Sequence, residues 1–144
     1  MKLDEIHEIW AVDSEIDLTD LAHQSIKTSK LHAKYMRMYS EERLLLRKYE
    51  QEAKRLKLLK YEFYTLGPSK ESQALGWEHP PRGMIIKTEV PMYLDGDPEI
   101  IATNLKIALQ QEKVELLENI IKQIGRRGFD IKSAIDFLKW SGGG

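Results

Sequence analysis

The stretch 43–64, RLLLRKYEQEAKRLKLLKYEFY, holds the residues best suited to chemistry. It carries seven bases (Arg43, Arg47, Lys48, Lys54, Arg55, Lys57, Lys60) against three acids (Glu50, Glu52, Glu62). Four aromatics lie among them: Tyr49, Tyr61, Phe63 and Tyr64. Wound at about 100° per residue, Arg43, Arg47, Lys54, Lys57 and Tyr61 share one face. Leu45, Tyr49, Leu56, Leu59 and Phe63 share another. One helix therefore offers an apolar seam to a partner helix and a cationic stripe to something negative. Cations that meet phosphates, beside rings that stack on bases, are what single-strand binding requires. The competing explanation is a solvated coiled-coil face. On the first explanation the contacting residues are Arg47, Lys54, Arg55, Lys57, Lys60, Tyr61 and Tyr64.

Such a stripe needs a long helix to carry it, and the flanking sequence supplies one. Asp17, with Asp20 three residues on, suits a helix start. No Gly or Pro then occurs before Gly67-Pro68, which leaves room for a helix of about 70 Å. Leu31, Tyr35, Met38, Glu42, Leu45, Tyr49, Glu52, Leu56, Leu59 and Phe63 recur in steps of four and three. That sustained period calls for a partner helix. Upstream, Leu3, Ile6, Ile9 and Trp10 mark a first small helix, with 12–16 as a connector.

Residues 67–96 differ in kind. Gly67, Pro68, Gly76, Pro80, Pro81, Gly83, Pro91 and Gly96 preclude a long helix there. The run 84–90, MIIKTEV, suits one short strand in an otherwise irregular crossover. Asp97-Pro98-Glu99 is a strong helix start: a capping acid, a first-turn proline, then an acid near the positive dipole end. Leu105, Leu109, Leu116, Leu117, Ile120, Ile121 and Ile124 mark the second long helix, and Gly125 and Gly128 are expected to end it. Ile131, Ala134, Ile135 and Leu138 then form a terminal helix, made very apolar by Phe129, Phe137 and Trp140. The closing SGGG reads as a flexible tail.

Composition narrows the function classes. At 144 residues with 31% charged and a mean hydropathy of −0.47, one soluble, helix-rich domain is expected. There is no cysteine, so disulfides and thiolate metal sites are excluded. No run approaches the roughly 18 apolar residues of a membrane span, and the acidic start is unlike a secretory signal. A cytoplasmic location is the simplest expectation. The net charge of −1 argues against a general polyanion binder, but the charge is segregated. Residues 1–20 hold seven acids and one lysine, residues 27–60 eleven bases and four acids, and residues 89–119 seven acids and two lysines. A local field of one sign matters more to a polyanion than the total does.

No catalytic pattern emerges. His7, His23, His32 and His79 lack metal-ligand spacing, and no metal or cofactor is expected. The segment Gly125-Arg126-Arg127-Gly128 lacks the preceding strand and the Lys-Ser/Thr ending of a phosphate loop. The expectation is a non-enzyme.

Arg127-Gly128-Phe129 followed by Ile131-Lys132, Ile16-Asp17-Leu18-Thr19, and the region from Ser29-Lys30 to Tyr35 are similar in kind and position to segments of one family. The chain resembles the UvsY recombination mediators of tailed bacteriophages along nearly its whole length. That family carries a Leu-Lys-x-Arg-Leu element before a pair of tyrosines, associated with single-stranded DNA. Here the region reads Lys54-Arg55-Leu56-Lys57-Leu58-Leu59-Lys60 before Phe63-Tyr64. Either Arg55-Leu56 or Lys57 with Lys60 stands in the equivalent place. The resemblance implies single-stranded DNA binding and a hexameric or heptameric ring of identical subunits. It also implies contact with a RecA-like recombinase and a single-strand-binding protein. Such a mediator loads the recombinase onto DNA, recombination and repair being its setting, in the cytoplasm of an infected host cell.

The expected architecture is all-α. Residues 1–125 form a helical hairpin domain of 17–66 and 97–125 with the crossover loop 67–96. Residues 126–144 form a C-terminal oligomerisation segment. Phe129, Ile131, Ile135, Leu138 and Trp140 have no obvious site within the hairpin, and an apolar patch of several hundred Å² is a liability on a monomer. Head-to-tail pairing of terminal segments would close a ring; a tail folded back on its own hairpin is the alternative. Two rival functions share these features: a structural coiled-coil adaptor, and a chaperone-like hairpin assembly. Neither would bind DNA.

Overall fold

The computed structural model describes residues 1–81, 83 and 85–142. Five helices follow in order: α1 Leu3–Asp13, α2 Leu21–Leu66, α3 Lys70–Ala74, α4 Val90–Asp95 and α5 Pro98–Ser141. The all-α expectation holds, with no strand among the described residues. None of the described helices is long and apolar enough to cross a membrane. The chain divides into two compact units. Unit 1 is Met1–Leu44 with the chain from Gln110 on, and unit 2 is Leu45–Leu109. Helices α2 and α5 contribute to both.

In unit 1, α2 and α5 pair antiparallel, with Glu42 against Gln110 and Gln24 against Arg127. Ile6, Leu31, Tyr35, Leu117, Ile120 and Ile124 form its core. The heptad positions of α2 thus meet those of α5, and α1 adds Ile6, Ile9 and Trp10. The Trp10 ring stands edge-on to Tyr35 at 5.3 Å, and its N–H donates to Gln123 Oε1 at 3.2 Å. Helix α2 begins at Leu21 rather than at Asp17. The Asp17 carboxylate accepts from the N–H and hydroxyl of Thr19, at 2.9 and 2.6 Å. That side-chain turn competes with a helical start, so the first α2 bond runs from Gln24 N–H to Asp20 C=O.

The expected break at Gly125 and Gly128 does not occur. Helix α5 runs through both glycines to Ser141. Each costs about 1 kcal/mol relative to alanine in a helix interior. Burial of Leu117, Ile120, Ile124, Arg127 and Ile131 along one stripe holds the helix across them. A buried stripe at this spacing outweighs a local stop signal.

In unit 2, α2 and α5 again lie antiparallel, with Tyr49 beside Lys106 and Lys60 beside Glu99. The crossover folds into α3 and α4 around a second core of Phe63, Tyr64, Ile85, Val90 and Leu94, flanked by Trp77 and Tyr93. Helix α2 ends at Gly67, whose φ of 87° suits only glycine without strain. Ser69 and Ser72 cap α3 reciprocally, each hydroxyl accepting from the other's backbone N–H. The short strand expected at 84–90 is absent, and Met84 lies outside the described residues. Val90 already opens α4, with Pro91 in its first turn. A lone strand would leave its N–H and C=O groups unpaired, whereas here Ile85 and Val90 bury side chains in the core.

Candidate nucleic-acid interface

The part of α2 inside unit 2 carries most of the basic stripe. Taking Arg47 as origin, Lys54 lies about 20° and Tyr61 about 40° around the helix, with Arg55 and Lys57 about 80° to either side. All five are exposed. Among the described residues none of Arg47, Lys48, Lys54, Arg55 and Lys57 has an ion-pair partner within 4.0 Å. Arg47, Lys54 and Tyr61, spaced seven apart, form a line of two cations and one ring along the outer face. Leu58, 56% exposed, lies in the same line, and neither charge nor periodicity singled it out.

Two of the expected contact residues are not on that surface. Lys60 is 4% exposed and Tyr64 7%. Their angles, about 140° and 100° from Arg47, bring them toward the seam of Tyr49, Leu56 and Phe63. Lys60 Nζ lies 3.1 Å from Asp97 Oδ2, 3.6 Å from Glu99 and 3.9 Å from the Trp77 ring centre. The Tyr64 hydroxyl donates to the same Asp97 oxygen at 2.6 Å. The other Asp97 oxygen accepts the N–H groups of Glu99 and Ile100 at 3.0 and 3.1 Å, capping α5. Burial resists ionisation of Asp97, but the bonds from Tyr64, Ile100 and Lys60 prevail and hold its carboxyl below the usual range. Burial first, and then the bond to Asp97, push the Tyr64 phenol well above its ordinary value. Both side chains are thus committed inside the unit. Spacing held a signal for this: Lys60 stands three and four residues before the buried Phe63 and Tyr64. Its partner Asp97, far off in sequence, could not be inferred.

The residues expected to drive assembly lie on α5 in unit 1 and divide between two faces. Ile131 is 2% exposed and belongs to the subunit's own buried stripe. Further along that side, Ile135 is half-buried and Leu138 is 52% exposed. The stripe therefore outlasts its cover. On the other face Phe129, Phe137 and Trp140 are exposed, and the last two rings lie 6.4 Å apart. Arg127, from the Arg-Gly-Phe segment, is buried. Its guanidinium donates to the carbonyls of Ser14 and Glu15 and to Gln24 Oε1, fastening the α1–α2 connector to α5.

Together these features define an all-α protein whose paired long helices display an unpaired line of cations and a ring suited to a flexible polyanion. Residues 9–144 match the family model of UvsY, the recombination, repair and ssDNA binding protein. The chain belongs to that family, and its function is that of a recombination and repair protein binding single-stranded DNA. Crystal structures of the recombination mediator protein UvsY of bacteriophage T4 have the same fold. One, in lattice type II, gives a TM-score of 0.81 at 20% identity, covering 99% of this chain and 98% of that one. Another, in lattice type IV, gives 0.80 at 17% identity, covering 98% and 99%. No curated protein sequence matches the chain.

Proposed function

We propose that single-stranded DNA follows the outer face of α2 in unit 2. Arg47, Lys54, Arg55 and Lys57 meet its phosphates, and Tyr61 stacks on a base. The observation that carries this is the set of exposed cations without ion pairs in line with Tyr61, in a family of single-stranded DNA binders. Unpaired cations lose little when a phosphate replaces water, and the release of counterions drives binding. Lys60 and Tyr64 serve the site indirectly, by holding the end of α2 against the α5 cap. The exposed apolar end of α5, with Phe129, Ile135, Phe137, Leu138 and Trp140, pairs copies of the chain into a hexameric or heptameric ring. The assembled mediator helps to load a RecA-like recombinase onto DNA covered by a single-strand-binding protein, in the cytoplasm of an infected host cell.

Salt titration of fluorescent-oligonucleotide binding tests the DNA path. About four phosphates per subunit give a logarithmic salt slope near −3. The double variant Arg47→Ala/Lys54→Ala should bind more weakly and flatten that slope by about 1.4, with helicity intact. Unchanged affinity and slope would move the DNA elsewhere. Assembly is tested by sedimentation of Leu138→Glu/Trp140→Glu, which should yield smaller species. Truncation at residue 126 is a poorer test, because it also removes the buried Arg127 and Ile131.

A further inference from the structure

Beyond Tyr61 the stripe runs into an open groove of about 600 Å³ between the last turns of α2 and the crossover. We propose that this groove receives an unstacked base of the bound single strand. The inference rests on the DNA path proposed above and extends it to a base subsite that includes crossover residues.

Four observations carry it. The walls are largely apolar: Tyr61 and Leu66 on α2 face Ile85 and Ile86 on the crossover. Leu66 is 74% and Ile86 67% exposed. Single exposed apolar residues are ordinary, but here they meet in one concavity beside an exposed ring, as in small-molecule clefts. The Thr65 hydroxyl is engaged by the Tyr61 carbonyl at 2.7 Å, so it adds little polarity.

The crossover wall is held in place. Ile85 N–H donates to Tyr64 C=O at 3.3 Å, and the Ile85 side chain is buried. The Ile86 carbonyl accepts from Glu89 and Val90, at 2.9 and 3.2 Å. Burying Ile85 leaves Ile86 outward, against the groove. A preformed wall loses little freedom on binding.

The charges favour a base over a phosphate. Lys87 and Glu62 both line the groove. A carboxylate repels a phosphate but can accept from the exocyclic amine of adenine, cytosine or guanine. Lys87 can meet the phosphate next to that base. Finally, the groove lies in register with the stripe. Tyr61 is both the last member of the Arg47–Lys54–Tyr61 line and a groove wall.

The test compares an oligonucleotide with the same length of abasic sugar–phosphate strand, each fluorescently labelled. Wild-type protein should favour the base-bearing strand about tenfold, the scale of one stacked base. Ile86→Gln, and separately Leu66→Gln, should lose most of that preference while keeping the affinity for the abasic strand. Unchanged thermal melting would show that these exposed positions leave the fold intact. Equal wild-type affinity for the two strands would overturn the base site and leave the phosphate stripe standing. A preference that survives in both variants would overturn it too. A change of oligomer size in either variant would make the groove an interface between copies and end the proposal. Failure of wild type to bind either strand would refute the stripe, and the groove with it.

Discussion

Each unit contains the same trio, an aspartate receiving a lysine and a tyrosine from α2, yet the two trios stand in different surroundings. In unit 1, Asp13 accepts from Lys34 at 2.6 Å and from Tyr35 at 2.9 Å. In unit 2, Asp97 accepts from Tyr64 at 2.6 Å and pairs with Lys60 at 3.1 Å. The side chains of Lys34 and Asp13 remain 46% and 17% exposed, those of Lys60 and Asp97 only 5% and 2%. Asp13 is the last residue of α1, where the helix dipole disfavours an anion, whereas Asp97 caps the N-terminus of α5, where the dipole favours one. Solvent weakens the first trio. Burial makes the second costly to break, because loss of one partner strands a charge. Residue types and contacts alike, the value of an interaction is set by what surrounds it.

The largest effect should come from Asp97→Ala. It removes two capping bonds and leaves Lys60 with the partly exposed Glu99 as its ion-pair partner. A loss of about 3–5 kcal/mol is expected, read by urea denaturation. Hydrogen exchange should show it concentrated in unit 2. The matching Asp13→Ala should cost about 1–2 kcal/mol, since the exposed ion pair adds little and the main loss is an acceptor for the Tyr35 hydroxyl. Equal losses would break the comparison.

Next comes Arg127→Lys in unit 1. Lysine lacks the planar fork, so the carbonyls of Ser14 and Glu15 lose donors. A cost of about 1–2 kcal/mol is expected, with faster exchange in the connector at residues 14–20.

Acid should sharpen the contrast further. Burial pushes the carboxyls of Asp13 and Asp97 up, but their hydrogen bonds and lysines prevail and hold both below the ordinary aspartate value. The folded state therefore binds fewer protons than the unfolded chain between the folded and unfolded values. Their stabilisation is present above about pH 4 and is lost as pH falls through the lower folded value. A plot of stability against pH should fall less steeply below pH 4 in Asp97→Asn than in wild type. An unchanged acid limb would assign that fall to other carboxylates. At the other limit the raised Tyr64 phenol stabilises fully below about pH 10 and loses that contribution as pH rises.

The smallest effect should be a gain. Gly125→Ala adds a methyl group with nothing within 4 Å in the middle of a continuous helix. A rise of about 0.5–1 kcal/mol in unfolding free energy is expected. A loss instead would show that α5 needs a weak point there.

Much of the fold was legible before any coordinates. The breaker-free run before Gly67 announced α2, and Asp97-Pro98 announced α5. Leu31, Tyr35 and Phe63 fall on the seam that the four-and-three spacing marks, and all three are buried. The errors came where a competing contact decided. Asp17 reads as a cap until Thr19, two residues on, claims one of its oxygens. Gly125 and Gly128 read as a stop until Ile124, Arg127 and Ile131 are seen buried around them. The run 84–90 reads as a strand until it has no partner.

The amino-acid sequence by itself determined which surfaces could exist: an apolar period along α2, an excess of cations beside it, and an irregular crossover between two helices. Those properties are local, fixed by residue type and by the angular step of a helix. Only the tertiary structure decided which cations stay free. Lys57 and Lys60 are chemically alike and one turn apart, yet Lys57 is left to solvent. Lys60 is enclosed by Asp97, Glu99 and Trp77, because α5 and the crossover fold back onto that side of α2, and burial with a carboxylate is a property of the packing, not of the residue.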